Sequence, residues 1–182
     1  EIMYKKFYWY RSGVTNTMKI ALKDIYIKVQ KMSLLKKGDA ILDIGANDGT
    51  MLKYFKNNGY KTIGCEPAKN LTKELKKNCD YIINDFWDSK HLNNLIKKKH
   101  IKKPKVITAI GMFYDLENPS KFISDAAKSL DDDGVFIAQL MCLNSMIEQN
   151  DLGNICHEHL EFYSYPSLKY LFENNGFKVM KI

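Results

Sequence analysis

Hydrophobic residues along the chain follow two alternating spacings. Short apolar runs are typical of buried strands, and the stretches between them place apolar residues three or four positions apart, as on one face of a helix. One such helical stretch, with apolar residues from Met18 to Met32, precedes the first run, and Asn118-Pro119 is typical of a helix start. The runs predict six strands, at residues 40–44, 61–65, 81–83, 105–110, 134–140 and 177–182.

The alternation of strands and helices predicts the fold class. Parallel neighbours need crossover connections, so we expect an α/β, Rossmann-like, mostly parallel sheet with helices on both faces. Residues 1–35 are expected to form an N-terminal arm and helix that pack on the core, and residues 36–182 the Rossmann-like unit, in one domain overall. Because the chain begins with Glu1 and ends at a predicted edge strand, we expect a fragment that lacks the last strand of the sheet.

Composition and cysteine spacing restrict the class of protein. The 182 residues, 45% of them hydrophobic, suffice for one sizeable core. No run of about 18 apolar residues and no apolar signal core occur, so we predict a cytoplasmic protein without a membrane span. The scattered cysteines lack the close pairs of a zinc knuckle, and we predict thiols and no metal site at Cys65, Cys79, Cys142 and Cys156.

The net charge of +7 raises the question of a nucleic-acid partner. Arg11 is the only arginine, however, and the lysines are spread among asparagines. Arginine makes most of the bidentate contacts to phosphates and base edges, so this composition disfavours nucleic acid. A small-molecule substrate is therefore the expected partner.

The segment at residues 42–50, Leu-Asp-Ile-Gly-Ala-Asn-Asp-Gly-Thr, lies where a predicted strand turns into a helix. Gly45 and Gly49 permit a sharp turn and close backbone approach, and the unpaired N–H groups of a helix start can bind a ligand. Glycine turns of this kind also occur for packing alone. Nicotinamide enzymes share the turn, but their Gly-x-Gly-x-x-Gly spacing is absent because Asn47 stands at the second glycine.

Polar groups follow successive predicted strands. Asp43 lies at the end of the first strand, Glu66 just past the second, Asp85 just past the third and Gly111-Met112 after the fourth. The carboxyl ends of neighbouring parallel strands face one crevice, so these groups are expected to meet. Each residue alone also has an ordinary explanation as a helix cap, a turn or a polar strand end. Together they favour an adenosine cofactor, and the spacing favours S-adenosylmethionine over a nicotinamide.

The whole pattern resembles class I S-adenosylmethionine-dependent methyltransferases. The resemblance implies that the Rossmann-like unit binds this cofactor through residues of three kinds. Glu66 would bind the ribose hydroxyls, and Asp85 with Phe86 would hold the adenine. The methionine and ribose would be lined by Asp43, Gly45, Asn47 and Gly49, and the methionyl end would pass the backbone of Ala109, Gly111 and Met112.

A second group of polar residues follows the fifth predicted strand. Residues 154–164 read Asn-Ile-Cys-His-Glu-His-Leu-Glu-Phe-Tyr-Ser and hold two of the four histidines. In an extended segment, His157 and His159 would share one face, and Cys156 and Glu158 the other. Three interpretations stay open: a polar loop with satisfied histidines, a His-x-His metal pair, and a catalytic group.

Together with residues 8–13, 47–50, 66–68 and 132–136, this segment resembles the sugar C-methyltransferase family, along nearly all of the chain. The resemblance implies methyl transfer to C3 of a nucleotide-linked 4-keto-6-deoxy sugar. Enolate formation beside a ketone needs a base that titrates near neutrality, and by resemblance this base is His159. His157 or Glu158 would orient it or bind the sugar.

The predicted substrate side also includes Tyr8, Tyr10, Asn154 and Cys156. The run Tyr8-Trp9-Tyr10 is expected to fold over the crevice as an aromatic wall, although such a run is also typical of a packed arm. Cys156 stands where many family members have tyrosine, and the family's flanking cysteine-rich and C-terminal domains have no counterpart in the sequence. Two alternatives therefore stay open: an idle cofactor-binding or interaction module, and a methyltransferase that acts on another small molecule or RNA.

Overall fold

The computed structural model describes Tyr4, Lys5 and residues 7–181. The strands are β1 (Ala40–Ile44), β2 (Lys61–Cys65), β3 (Tyr81–Ile83), β4 (Pro104–Ile110) and β5 (Val135–Gln139). The helices are α1 (Asn16–Lys31), α2 (Thr50–Asn57), α3 (Thr72–Asn78), α4 (Ser89–Lys99), α5 (Pro119–Ser129), α6 (Leu143–Glu148) and α7 (Tyr165–Glu173). Short 3₁₀ helices lie at Lys69–Leu71 and Phe113–Asp115.

The five strands form one parallel sheet in the order β3–β2–β1–β4–β5. The central strand β1 is buried at every position. Its register sets Asp43 opposite Gly64 of β2 and Thr108 of β4. The carboxyl ends of β1, β2 and β4 therefore meet at one edge of the sheet, where open α/β folds bind ligands.

Helices cover both faces of the sheet, because alternate residues of β1 point in opposite directions. On one face, Leu42 packs in an apolar cluster that includes Ile123 of α5. On the other face, Ile41 packs in a cluster that includes Val29 of α1 and Phe55 of α2. The predicted α/β, Rossmann-like class is confirmed.

The predicted strand at 177–182 is wrong. Residues 177–181 are irregular and pair with no strand in the described part of the chain, and Ile182 lies outside it. Phe177 instead donates its backbone N–H to the carbonyl of Phe172 in α7, and its ring centroid lies 5.4 Å from that of Phe136 in β5. The apolar residues of this segment pack their side chains on α7 and β5. Their spacing is the same as in a strand, but the segment does not extend the sheet.

Two simpler features concern the cysteines and the helices. All four cysteines are free, as predicted, with Cys65 and Cys79 buried and Cys142 and Cys156 exposed. In the described residues, no helix has both the length and the apolar character needed to cross a membrane.

Candidate active site

The turn between β1 and α2 has a backbone that favours glycine. Gly45 and Gly49 both have φ of 77°, and Asn47 has φ of 51°. A β-carbon on Gly45 would lie 2.9 Å from Cγ of Met112, which follows β4. The left-handed backbone strains any side chain at position 45, and such a side chain would also have to displace Met112. The turn is therefore packed closely against the end of β4.

Asp43 lies buried beneath this turn at the end of β1, with 4% of its surface exposed. Its Oδ1 accepts a hydrogen bond of 2.6 Å from the Thr108 hydroxyl on β4. Burial raises the pKa of Asp43 to about 7, and the Thr108 hydrogen bond opposes that rise. The carboxyl thus titrates near neutral pH, which makes it a site whose charge can respond to a bound ligand.

Glu66, just past β2, links the first two loops of the crevice. Its Oε2 accepts the backbone N–H of Asn47 at 2.9 Å, and its Oε1 accepts that of Ala68 at 2.8 Å. Burial raises the pKa of Glu66, and the two backbone N–H groups oppose the rise. Each carboxylate oxygen has a second acceptor position, so the side chain can still accept hydrogen bonds from hydroxyl groups.

Asp85, just past β3, is more exposed than Asp43 or Glu66. Its Oδ1 accepts the backbone N–H of Phe86 at 3.0 Å and lies 3.3 Å from Nζ of Lys5. The Phe86 N–H, followed by Lys5, lowers the pKa of Asp85. The same Lys5 ammonium lies 5.8 Å from the centre of the Phe86 ring. The Lys5 side chain therefore lies beside both residues that are predicted to hold the adenine, Asp85 and Phe86.

The N-terminal arm crosses the mouth of the crevice at Tyr8. Its backbone N–H donates to Oδ1 of Asn70 at 3.0 Å, and its carbonyl accepts from Nδ2 of the same side chain at 3.0 Å. Trp9, expected in an aromatic wall, is instead 87% exposed. The hydrogen bonds that hold the arm involve its backbone, so the ring of Trp9 can face solvent. Trp9 therefore does not form part of an aromatic wall over the crevice.

Further along, the arm is bound to the glycine turn itself. Oδ1 of Asn47 accepts the N–H of Ser12 at 3.0 Å, and Nδ2 of Asn47 donates to the Tyr10 carbonyl at 3.1 Å. Oδ2 of Asp48 accepts the N–H of Gly13 at 2.8 Å. The Asn47 side chain, predicted to line the cofactor, thus holds the arm in place, and only its backbone faces Glu66.

His159 is held in a defined orientation beside the end of β4. Its Nδ1 lies 2.7 Å from the backbone carbonyl of Asn154. A carbonyl oxygen only accepts, so Nδ1 carries the hydrogen and Nε2 of the neutral ring is the acceptor. The ring centroid lies 4.4 Å from that of Tyr114, whose carbonyl accepts the N–H groups of Leu160 and Glu161. Residues 154–161, called the histidine loop below, therefore pack on the segment that follows Met112.

The other residues of the histidine loop are arranged differently from an extended segment. The N–H of His159 donates to the Cys156 carbonyl at 3.3 Å, so residues 156–159 form a turn. His157 and Cys156 are exposed, and Glu158 is half-buried. The turn removes the alternation that would place both histidines on one face. Within the described residues, no three histidine, cysteine, aspartate or glutamate side chains are arranged to hold a metal ion.

Asp115 is a site residue that the sequence analysis missed. It ends the 3₁₀ helix after β4, is half-buried, and has a hydrogen bond between its carboxyl and the Tyr4 hydroxyl. Burial raises the pKa of Asp115 to about 6, whereas the neighbouring Tyr4 hydroxyl and His159 lower it. Its position in the sequence could have indicated it, because Asp115 lies three residues after Met112, at a strand end where cofactor contacts were predicted.

Known proteins are similar to this chain in sequence. A family model described as a methyltransferase domain matches residues 21–182. C-methyltransferase NovU of Streptomyces niveus is 25% identical over 149 residues, which cover 81% of this chain and 35% of NovU. The chain thus spans about a third of the length of this curated relative.

Solved methyltransferase-like structures share the fold. Mycolic acid cyclopropane synthase CmaA1, complexed with SAH and CTAB, superposes with a TM-score of 0.64 at 18% identity, over 96% of this chain and 68% of that one. Magnesium protoporphyrin IX methyltransferase ChlM from Synechocystis PCC 6803 with bound SAH has a TM-score of 0.62 at 13% identity, over 93% and 80%. By its family match over residues 21–182, the chain belongs to the methyltransferase-domain family, and it is similar in sequence to a C-methyltransferase.

Proposed function

We propose that this chain binds S-adenosylmethionine at the carboxyl ends of β1 to β4 and methylates a carbon atom of a nucleotide-linked keto-sugar, with His159 as the general base. The observation that carries the proposal is the contact between His159 Nδ1 and the Asn154 carbonyl, because it leaves Nε2 as a free acceptor. The 25% identity to a C-methyltransferase supports carbon as the acceptor atom.

The residues at the strand ends fit the cofactor. Gly45 allows the turn to lie close against Met112 at the end of β4, and Glu66 retains acceptor positions for ribose hydroxyls. The full set proposed to hold it is Asp43, Gly45, Asn47, Gly49, Glu66, Asp85 and Phe86, with the backbone of Ala109, Gly111 and Met112.

The proposed reaction assigns His159 a proton transfer. Removal of a proton from the carbon next to a ketone leaves an enolate, whose carbon can then attack an electrophile. Nε2 of the neutral ring accepts this proton while the Asn154 carbonyl holds the Nδ1 hydrogen, so the ring keeps its orientation through the step. S-adenosylmethionine, when bound, supplies the electrophilic methyl group on its sulfonium.

The substrate side is proposed to lie between the arm and the histidine loop. Tyr8 and Tyr10 are on the arm segment that the loops hold, and Asn154 and Cys156 are on the histidine loop. Tyr10 is 45% exposed, and its hydroxyl lies near Ser12 of the arm. Glu158 and His157, near the mouth, are proposed to orient the sugar.

Solvent exchange at the sugar tests the proposal before any methyl transfer. A nucleotide-linked 4-keto-6-deoxy sugar in deuterium oxide is expected to lose its α-proton in the presence of the wild-type protein. His159→Asn should slow this exchange by about 10²-fold or more, the usual contribution of a general base. The rate is followed by proton NMR of the sugar.

The matched control is His100→Asn. His100 is exposed, ends α4 and has φ of 53°, a backbone that asparagine adopts readily. This variant should exchange the sugar proton at the wild-type rate. A wild-type protein that binds S-adenosylmethionine but exchanges no proton would instead indicate the idle binding module, and equal rates in wild type and His159→Asn would exclude His159 as the base.

A further inference from the structure

The buried carboxyl of Asp43 is hydrogen-bonded at only one of its two oxygens. Its Oδ1 accepts the Thr108 hydroxyl at 2.6 Å. Its Oδ2 receives no hydrogen bond from the described residues and is not fully enclosed by them. Glu66, the other buried carboxyl of the crevice, differs because each of its oxygens accepts a backbone N–H. Oδ2 of Asp43 is therefore an acceptor that remains available to a ligand.

The Asp43 carboxyl also lacks a cationic partner among the described residues. The titratable groups that face it from neighbouring elements are Glu66 and Cys65 of β2 and Cys79 after α3. Burial raises the pKa of both thiols, so they are neutral near pH 7. From β4 the carboxyl meets Thr108, which does not ionise. A buried carboxylate without a cation is costly, so this environment favours a positively charged ligand group.

The Thr108 hydroxyl can serve the carboxyl in either protonation state. Thr108 is fully buried in β4, directly opposite Asp43. Its Oγ1 lies 2.6 Å from Oδ1 of Asp43 and 3.3 Å from the Leu42 carbonyl. The hydroxyl donates to the ionised carboxyl, and it can accept from the protonated carboxyl while it donates to Leu42. Thr108 therefore fixes the position of Oδ1 whatever the charge on Asp43.

We propose that Thr108 is a positioning residue for cofactor binding: its hydroxyl holds Oδ1 of Asp43, so that Oδ2 is presented to a positively charged group of S-adenosylmethionine. This role rests on the proposed function of Asp43 as a residue that holds the cofactor. S-adenosylmethionine carries an amino group and a sulfonium as cationic groups, and a buried carboxylate attracts both. Thr108 acts only through Asp43.

Thr108→Val tests this role, because it removes the hydroxyl and keeps the branched shape of the side chain. Titration calorimetry with S-adenosylmethionine at pH 8 should show affinity weakened by about tenfold, as expected for the loss of a hydrogen bond to a charged group. Thr108→Ser keeps the hydroxyl and should recover most of the affinity. Equal affinity in Thr108→Val and wild type would overturn the proposal.

The matched control is Thr62→Val. Thr62 is also fully buried in a strand, and its hydroxyl also donates to an aspartate, to Oδ2 of Asp80 at 3.0 Å. This pair lies at the start of β2, at the opposite end of the sheet from the crevice. Thr62→Val should therefore bind the cofactor as the wild type does. A similar loss in both variants would mean that affinity follows the general effect on the sheet and would contradict a specific role of Thr108.

The pH dependence of binding separates positioning from packing. Burial raises the pKa of Asp43 to about 7, and the Thr108 hydrogen bond opposes this rise. A protonated carboxyl has no charge to attract a cation, so wild-type affinity should fall as the pH is lowered through about 7. Thr108→Val should move this midpoint to higher pH, whereas Thr62→Val should not. The titrations of the cofactor and of Glu66 are common to all variants, so an unchanged midpoint in Thr108→Val is evidence against the proposal.

A further measurement needs no cofactor. In protein carrying ¹³C-labelled aspartate, the Asp43 carboxyl signal is identified by its loss in Asp43→Asn. Its titration midpoint should lie at a higher pH in Thr108→Val than in wild type, because the hydroxyl lowers the pKa of Asp43. Thr108→Ser should keep the wild-type midpoint. If Thr108→Val also keeps it, Thr108 does not act through Asp43, whatever calorimetry shows.

The proposed function and the role of Thr108 fail in different ways. A folded wild-type protein that binds no S-adenosylmethionine removes the proposed function, although the carboxyl titration still reports the contact between Thr108 and Asp43. A wild-type protein that binds the cofactor, together with a Thr108→Val variant that binds it equally tightly and with the same pH midpoint, removes only the role of Thr108.

Discussion

At the scale of single residues, the crevice depends on groups that tolerate little change. Gly45 combines a φ of 77° with a β-carbon position 2.9 Å from Met112. Asp43 and Glu66 are buried carboxyls whose pKa values are raised by that burial and lowered by their hydrogen-bond donors. Because burial and hydrogen bonding act in opposite directions, a ligand that adds or removes a hydrogen-bond donor would change the pKa of either carboxyl.

Gly45→Val tests the glycine turn directly. The valine side chain would require a left-handed backbone that β-branched residues avoid, and it would displace Met112 from the strand end. We expect binding of S-adenosylmethionine or its demethylated product, measured by titration calorimetry, to weaken by at least about tenfold, which corresponds to about 1.4 kcal/mol.

Gly38→Val is the matched control for backbone strain. Gly38 has φ of 88°, yet no atom lies within 4 Å of its β-carbon position. The two variants thus share the strained backbone and differ in the contact with Met112. If Gly45→Val binds the cofactor as tightly as Gly38→Val does, the close approach at the crevice has no part in binding.

At the scale of elements, the strand ends and the arm assemble the crevice together. The arm contributes backbone groups to Asn47 and Asp48 on the first loop and to Asn70 after β2. The histidine loop approaches from the opposite end of the chain and docks on Tyr114. The crevice is thus bounded by two segments more than 100 residues apart. Side chains of the loops bind the backbone of the arm, whereas the histidine loop is held through backbone–backbone hydrogen bonds.

Asn70→Ala tests how the arm is held. The substitution removes both hydrogen bonds to the Tyr8 backbone, each contributing about 1 kcal/mol. We expect faster amide hydrogen exchange across residues 7–13, by about tenfold, in a peptide-level measurement by mass spectrometry. The fold elsewhere should be unchanged, because Asn70 lies in a short 3₁₀ turn.

Asn58→Ala provides the comparison for this experiment. Asn58 also donates its side-chain N–H to a backbone carbonyl, that of Tyr54, but at the end of α2 and away from the arm. Its loss should leave exchange of residues 7–13 at the wild-type rate. Equal protection of the arm in Asn70→Ala and wild type would show that other contacts hold Tyr8.

At the scale of the whole molecule, one aromatic cluster joins the sheet to the histidine loop. Phe113 is fully buried directly before Tyr114. Its ring lies 5.4 to 5.7 Å from the rings of Phe122 in α5, Phe172 in α7 and Tyr163. The segment that carries Tyr114 and Asp115 is therefore anchored in the core, so their geometry depends on the stability of that face of the sheet.

Phe113→Ala measures this anchoring. Removal of a fully buried ring leaves a cavity, and we expect the free energy of unfolding to fall by about 3–5 kcal/mol in urea titrations. Phe7→Ala, which removes a ring that is 53% exposed, should change it by less than about 1 kcal/mol. Similar losses in the two variants would argue against Phe113 as the anchor.

Several elements could be predicted from the sequence because their signals are local. The strands at 40–44, 61–65 and 81–83 agree with the structure, and the strand predicted at 105–110 begins one residue earlier, at Pro104. The segment at 177–182 shows where this reasoning fails. Alternating apolar residues there satisfy the packing of α7 and β5, and spacing alone does not distinguish such packing from strand pairing.

Local sequence patterns were enough to predict the α/β class, the glycine turn and the row of polar groups at successive strand ends, because these depend on neighbours in the chain and on the geometry of parallel sheets. Other relations needed the three-dimensional fold: the Asn154 carbonyl orients His159, Asn47 holds the arm, and the Tyr114 carbonyl accepts two N–H groups of the histidine loop. Those relations join residues through turns and distant segments, whose approach is set by packing and hydrogen bonding that no local pattern records.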